Sequence, residues 1–352
     1  MNLFFKKYSN SIENYLKNFL LKRQIELSDI NKWGKDLMER FADFSLHGKM
    51  IRGGLIILSY QMFTNDTPDW IIQIASALEL IHSSLLIHDD IIDRDNIRRG
   101  KKTLFYQYKE LGEHENHTDS YHFGESLGIC AGDIGFFLAF EILSKLETTR
   151  EIKEKVLSLW SKELTFVSLA QMQDCYFSIS KKKAGEEEIL NLYRYKTARY
   201  TFSLPLMTGA IAAGQDSKTI LQLEKLGENL GIIFQIKDDE IGLFGNESEI
   251  GKPVGTDIKE GKKTLYSLYL SEITMDKYRE KIRTIFNQKK ITPSTLLCLQ
   301  EIAEKSGVQD KIHNKMLNLK EKAESLITSL SVDNVYKDVL SRMLQYNMER
   351  TR

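Results

Sequence analysis

The sequence predicts an all-α protein built as a single large helical bundle. Only four prolines occur in 352 residues, apolar residues recur at helical spacing almost throughout, and turn-forming clusters separate the periodic segments. Proline lacks the amide hydrogen and clashes with the preceding helical turn, so its scarcity leaves long helices open to the chain. The length allows one large domain or two average ones, and either buries a sizeable core.

Lys+Arg and Asp+Glu each number 49, so the formal net charge is zero and no long-range pull toward nucleic acid or an anionic membrane is expected. Basic residues therefore act locally. Cys130, Cys175 and Cys298 are odd in number and far apart, which fits core thiols in a reducing, cytoplasmic setting better than a disulfide framework.

In chain order, the opening MNLFFKKYSNSIENYLKNFLLKRQ mixes charges every few residues, so it lacks the apolar stretch of a signal peptide and reads as a helix packed on its own bundle or on a second subunit. No uncharged apolar run long enough to cross a membrane is apparent, so no transmembrane segment is expected. Clusters at Asn65–Pro68, Lys109–Phe123, Lys181–Glu186 and Gly245–Gly261 read as loops between long helices. No short-period repeat or low-complexity linker occurs. Candidate site residues lie on both sides of each loop, so residues 1–352 are expected to form one domain.

Ile81–Thr103 reads IHSSLLIHDDIIDRDNIRRGKKT. On a helix Asp89 and Asp93 stand one above the other at i and i+4. Stacked carboxylates repel unless a cation lies between them, and a few hard oxygens suit Mg²⁺ that draws its other ligands from water and a substrate phosphate. Arg98, Arg99 and Lys101 follow, within reach of the same phosphates. Alone, this stretch reads equally well as an exposed acidic helix end and a basic loop. A second apolar segment, Phe234–Leu265, also ends in paired aspartates, Asp238 and Asp239, followed by Lys252, Asp257, Lys262 and Lys263. Two copies of one unusual arrangement are hard to obtain from solvated faces, and read as two walls of one metal and diphosphate site.

These motifs resemble those of the trans-isoprenyl diphosphate synthases, or polyprenyl synthetases, over most of the chain. DDIID with RRG at Asp89–Gly100 is similar to that family's first aspartate-rich motif, and FQIKDD with GKPVGTDIKEGKKT to its second. HGKMIRGG (His47–Gly54), AGD (Ala131–Asp133), AQMQD (Ala170–Asp174) and YKTARYTFSLPL (Tyr195–Leu206) stand in the family's order. The resemblance implies a helical bundle of the isoprenoid synthase type around a central apolar cavity, and a homodimer. It also implies a Mg²⁺-dependent prenyltransferase that condenses isopentenyl diphosphate with an allylic diphosphate.

Carried onto this sequence, the resemblance makes Asp89, Asp93 and Asp238 the metal ligands. Lys49, Arg52, His82 and Arg99 are expected to hold isopentenyl diphosphate, and Arg98, Lys252 and Lys262 the allylic diphosphate. Guanidinium forks suit phosphate oxygens because they donate two parallel bonds and stay charged. Lys196, Thr197 and Gln235 are expected near the allylic carbons, where their dipoles stabilise a transient cation. Gln171 and Asp174 match a GQxxD motif with alanine for glycine, and Asp174 is expected to orient a lysine such as Lys262. Two departures stand out: Gly53 replaces the proline usual after Arg52, and Gly242 replaces a third aspartate in the second motif. His88 reads as structural, and His114, His117 and His122 as a polar segment with no metal.

The implied mechanism is ionisation of the allylic carbon–oxygen bond, attack by the double bond of isopentenyl diphosphate, and loss of a proton to the departing diphosphate, with water kept out. A class I terpene cyclase shares the fold but needs one diphosphate site, which Lys49, Arg52 and Arg99 argue against. A non-catalytic partner subunit would have eroded aspartates, and here they are intact. Residues upstream of Asp89, namely Leu85, Ser84 and Ile81, are expected to line the product tunnel. No aromatic ring stands at Ser84 or Leu85, so a product of at least twenty carbons, geranylgeranyl diphosphate first, is expected.

Overall fold

A computed structural model describes residues 2–180, 182–245, 254–255, 258, 260–286 and 292–351, and these are overwhelmingly helical. The all-α expectation therefore holds. The chain forms two compact units, Met1–Leu157 with Thr208–Gln215, and Ser158–Met207 with Asp216–Arg352.

The first unit contains α1 (Asn2–Ser28), α2 (Lys32–Leu46), α3 (Ile51–Gln61) and α4 (Asp69–Ile92). A two-stranded hairpin, β1 (Ile97–Arg98) and β2 (Lys101–Lys102), leads into α5 (Leu104–His114), α6 (Ser120–Ser144) and the start of α7 (Arg150–Ile179). Helix α4 is the centre, packed along α3, α6 and α1, and its Ile74, Ala77, Leu78, Leu80 and Ile81 are fully buried. Close approach by α6 depends on glycine. A Cβ at Gly132 would lie 2.2 Å from His88 Nε2, and one at Gly135 2.2 Å from Ser84 Oγ and 2.6 Å from Phe41 Cζ.

Two expectations need correction here. The stretch Lys109–Phe123 is mostly helix, because its charged residues occupy exposed turns of α5 and α6 rather than a loop. Helices α4 and α6 are both long and apolar enough to cross a membrane, contrary to the sequence reading. Most of α4's apolar stretch, 67%, is buried inside the protein, as befits a core helix.

The second unit contains the rest of α7, then α8 (Glu186–Leu192), a π-helix (Tyr193–Ser203), the start of α9 (Leu204–Ala212) and α10 (Ser217–Phe244). After these come α11 (Leu265–Ser271), α12 (Asp276–Phe286), α13 (Pro293–Lys305), α14 (Val308–Ser329) and α15 (Asn334–Glu349). Asp216 starts α10 by accepting the Thr219 amide at 2.8 Å, satisfying one of the donors every helix start leaves free. Helix α10 packs along the π-helix, α14 and α15. Arg199, from the π-helix, is buried and donates to Glu163 on α7 at 2.9 and 2.6 Å, and to Glu228 on α10 at 2.6 Å. Glu224 lies 2.5 Å from the same guanidinium.

Candidate active site

In the first unit, Asp93 caps α4 and its amide donates to the Asp89 carbonyl at 2.8 Å. The two carboxylates thus stand one turn apart, as their spacing required. Asp90, between them, is buried and accepts a hydrogen bond from Arg98 Nε. Burial pushes the Asp90 carboxyl up to about 7, opposed by Arg98. Arg98 also lies 3.8 Å from Asp89 and 3.8 Å from Asp95.

The hairpin separates the two arginines. Arg98 sits on β1 and pairs across with Lys101, whereas Arg99 and Gly100 form the turn with φ of 52° and 75°, the left-handed pair that joins tight hairpins. Neighbours on a strand end and a turn point differently, so Arg98 meets Asp90 while Arg99 joins a second group. Lys101 leaves the phosphate set and pairs with Asp43 at 2.8 Å.

That second group gathers Arg52, Glu79, His82 and Arg99. Burial, then Arg52, Arg99 and Arg98, hold the His82 imidazole well below its ordinary range, which keeps it neutral. Burial and Arg98 lower Arg99, while Glu79 acts in the opposite sense. Lys49 is exposed and precedes α3 rather than lying on it. Met50 intervenes in the left-handed conformation with φ of 48° and its side chain buried, an uncommon conformation for such a residue.

In the second unit, Asp238 and Asp239 face different surroundings. Asp239 is buried and accepts from Gln235 Nε2 at 2.8 Å and from the Tyr193 hydroxyl. The Tyr193 oxygen in turn accepts the Leu265 amide at 3.0 Å. Because the amide nitrogen of Gln235 is held by Asp239, its oxygen turns to accept Thr197 Oγ1 at 2.6 Å. Asp238 is half-exposed and carries the guanidinium of Arg350, which also donates to the Phe234 carbonyl at 3.0 Å and lies 3.7 Å over the Phe234 ring.

Asp174 accepts from Lys196, so the lysine it visibly orients is Lys196 where Lys262 was expected. Lys262 lies 3.2 Å from Glu260. Gln171 is half-buried one turn ahead of Asp174. Lys252 and Asp257 lie outside the described residues. His88 Nε2 stands 3.2 Å from the Ile129 carbonyl, and His117 stacks on Phe123 at 4.5 Å.

The chain-length reading changes. Ile81 and Ser84 are fully buried. The space beside Ser84 is occupied, since its hydroxyl faces Gly135 of α6 together with the Phe41 ring. Of the three residues, Leu85 alone is partly exposed.

Asp89 and Asp93 in the first unit and Asp238 in the second are carboxylates, the hard oxygen donors that Mg²⁺ prefers. Among the described residues no three His, Cys, Asp or Glu side chains converge on one metal position.

A family model described as polyprenyl synthetase matches residues 33–304. The chain belongs to the polyprenyl synthetase family. It is 30% identical to a geranylgeranyl diphosphate synthase of Sulfolobus acidocaldarius, with 99% of this chain and 98% of that one covered. A geranylfarnesyl diphosphate synthase of Aeropyrum pernix is 28% identical over 89% of this chain and 95% of its own. The crystal structure of a geranylgeranyl pyrophosphate synthase from Corynebacterium glutamicum, complexed with isoprenyl diphosphate and magnesium, superimposes with a TM-score of 0.89 at 27% identity, covering 98% and 99% of the two chains.

Three residues in contact with the predicted ones escaped the sequence reading. Tyr193 and Arg350 act across the fold, with no signal at hydrogen-bonding spacing in the sequence. Glu79 did leave one: a carboxylate in an apolar helix one turn before His82 is costly to bury without a partner.

Proposed function

We propose that the protein is a trans-prenyl diphosphate synthase that extends an allylic diphosphate with isopentenyl diphosphate, giving a product of twenty carbons or more. The observation that carries this reading is geometric: the Arg99 guanidinium reaches within 3.6 Å of where a Cβ at Gly48 would lie, beside Lys49, and Glu79, one turn before His82, accepts the Gly53 amide beside Arg52, a group separate in role from the acidic ends of α4 and α10. A cyclase has no use for that second diphosphate station.

Asp89, Asp93 and Asp238 would hold magnesium. When bound, the metal neutralises the allylic diphosphate and makes it a better leaving group. Lys49, Arg52, neutral His82 and Arg99 bind isopentenyl diphosphate and orient its double bond. Arg98 and Lys262, with Lys252, grip the allylic diphosphate. The Thr197 hydroxyl, locked by Gln235 and Asp239, presents its oxygen to the developing cation, and Asp174 holds the Lys196 ammonium in place beside it by pairing its charge. The departing diphosphate takes the proton, since the residues named here include no free base at that position.

We further propose a cytoplasmic homodimer acting as one synthase domain per chain. Supporting the dimer, α6 exposes Ile129, Phe137 and Phe140 along one stripe, and α7 exposes Leu169, Met172, Tyr176 and Ile179 along another. Such stripes are the usual mark of a subunit interface.

Incubation with Mg²⁺, isopentenyl diphosphate and each allylic primer, followed by product sizing, tests the reading. Wild-type protein is expected to elongate, and Asp89→Ala and Asp238→Ala to lower turnover by several orders of magnitude. Near-normal turnover in both variants refutes the metal assignment.

A further inference from the structure

Helix α3 begins without a cap of its own: Met50, at its N-cap, makes no side-chain bond to the first turn. The free amides there are met instead by a residue of another helix. Glu79, on α4 and buried, accepts the Gly53 amide through Oε1 at 2.7 Å. Burial raises its carboxyl above the ordinary range, opposed by the Arg52 and Arg99 side chains and by the Gly53 and Arg52 amides. A buried carboxylate at a helix start is stabilised by the amides and the dipole together. Here the turn it anchors is the one that carries Arg52.

Gly53 explains why this works in this chain. A proline at position 53 has no amide hydrogen, so the bond to Glu79 exists because glycine stands there. A Cβ at that position would also lie 3.3 Å from Glu79 Cγ and 2.7 Å from Ile12 Cδ1, so the carboxylate stem and the α3 backbone are in contact. The departure expected to affect only the turn therefore supplies a donor as well.

We propose that Glu79 is the positioning residue of the isopentenyl diphosphate station, capping α3 and setting Arg52 and Arg99 in place before the substrate arrives. This rests on the function proposed above. Glu79 stands behind the cations and touches no reacting atom. A diphosphate bound by Arg52 and Arg99 meets guanidinium groups already oriented, so less ordering is lost on binding.

The test compares wild type, Glu79→Gln and Glu79→Asp. Glu79→Gln keeps the shape and an acceptor for Gly53 but removes the negative charge that Arg52 and Arg99 feel. We expect its KM for isopentenyl diphosphate to rise about tenfold, in line with loss of one charge-assisted contact, with kcat and the primer KM unchanged. Glu79→Asp is expected to fall between the two. Titration calorimetry with inorganic pyrophosphate in metal-free buffer, where the aspartates repel the anion, reads the same station without turnover, and the Gln variant is expected to bind about tenfold more weakly. Unchanged isopentenyl diphosphate KM, a parallel rise in both KM values, or pyrophosphate binding that is equal or tighter in the variant overturns the proposal. If Glu79→Gln fails to fold, an unchanged KM in Glu79→Asp overturns it. A wild type that binds pyrophosphate but does not condense refutes the proposed function alone, and the calorimetric comparison then decides Glu79.

Discussion

Replacing Arg199 with leucine is expected to destabilise the unit that carries the π-helix by about 3–5 kcal/mol at pH 7, the range for removing one partner of a buried ion pair. The side chains of Arg199 and Glu163 are only 8% and 1% exposed, so solvent screens their pairing little. Without the guanidinium, Glu163 is left as a buried charge with Glu224 and Glu228 near it. Urea unfolding measures the penalty, followed by the fluorescence of buried Trp160, which lies one turn before Glu163. A penalty under about 1 kcal/mol at pH 7, the range of an exposed pair, refutes the view that Arg199 neutralises this cluster. Because Lys196 and Thr197 share the π-helix, kcat should fall with stability.

Arg350→Ala removes a guanidinium that shares the Asp238 carboxylate with any incoming cation, so magnesium pyrophosphate is expected to bind about tenfold more tightly by calorimetry; weaker binding would show that Arg350 assists the ligand. Asp90 binds its proton more tightly when folded, at about 7 against an ordinary 3.8. Between those values the native state holds a proton that the unfolded chain has lost, so its contribution falls as pH rises through the window. Urea midpoints of metal-free protein should show this slope, and Asp90→Asn should flatten it; an unchanged slope in the variant assigns it elsewhere. Leu85→Phe is expected to shorten the product by at least one five-carbon unit on chromatography, whereas Ser84→Phe, pressed against Gly135 and Phe41, should lower Tm through overpacking. Full-length product from Leu85→Phe places the tunnel floor on another helix.

The sequence by itself determined the fold class and most residue types at the site. Scarce proline and helical apolar spacing are local properties, and i, i+4 spacing alone stacks Asp89 on Asp93 wherever α4 goes. The ordered motifs likewise singled out Thr197, Gln235 and the basic residues one by one as candidates. Only the tertiary structure decided which groups meet. Arg98 and Arg99 part company because a two-residue turn falls between them, and Lys101 is claimed by Asp43 from α2. Asp239 turns inward to Tyr193 while Asp238 faces out to Arg350, a difference that two adjacent aspartates cannot announce. Ser84 looked like open space because a small residue in sequence reads the same whether it borders a tunnel or a neighbouring helix; Gly135 of α6 lies against its hydroxyl. Capping of α3 by Glu79 joins residues 26 positions apart. Hydrogen bonds and ion pairs of this kind depend on distances of a few ångströms between helices, and helix periodicity encodes which face is buried but not which polar group awaits it there.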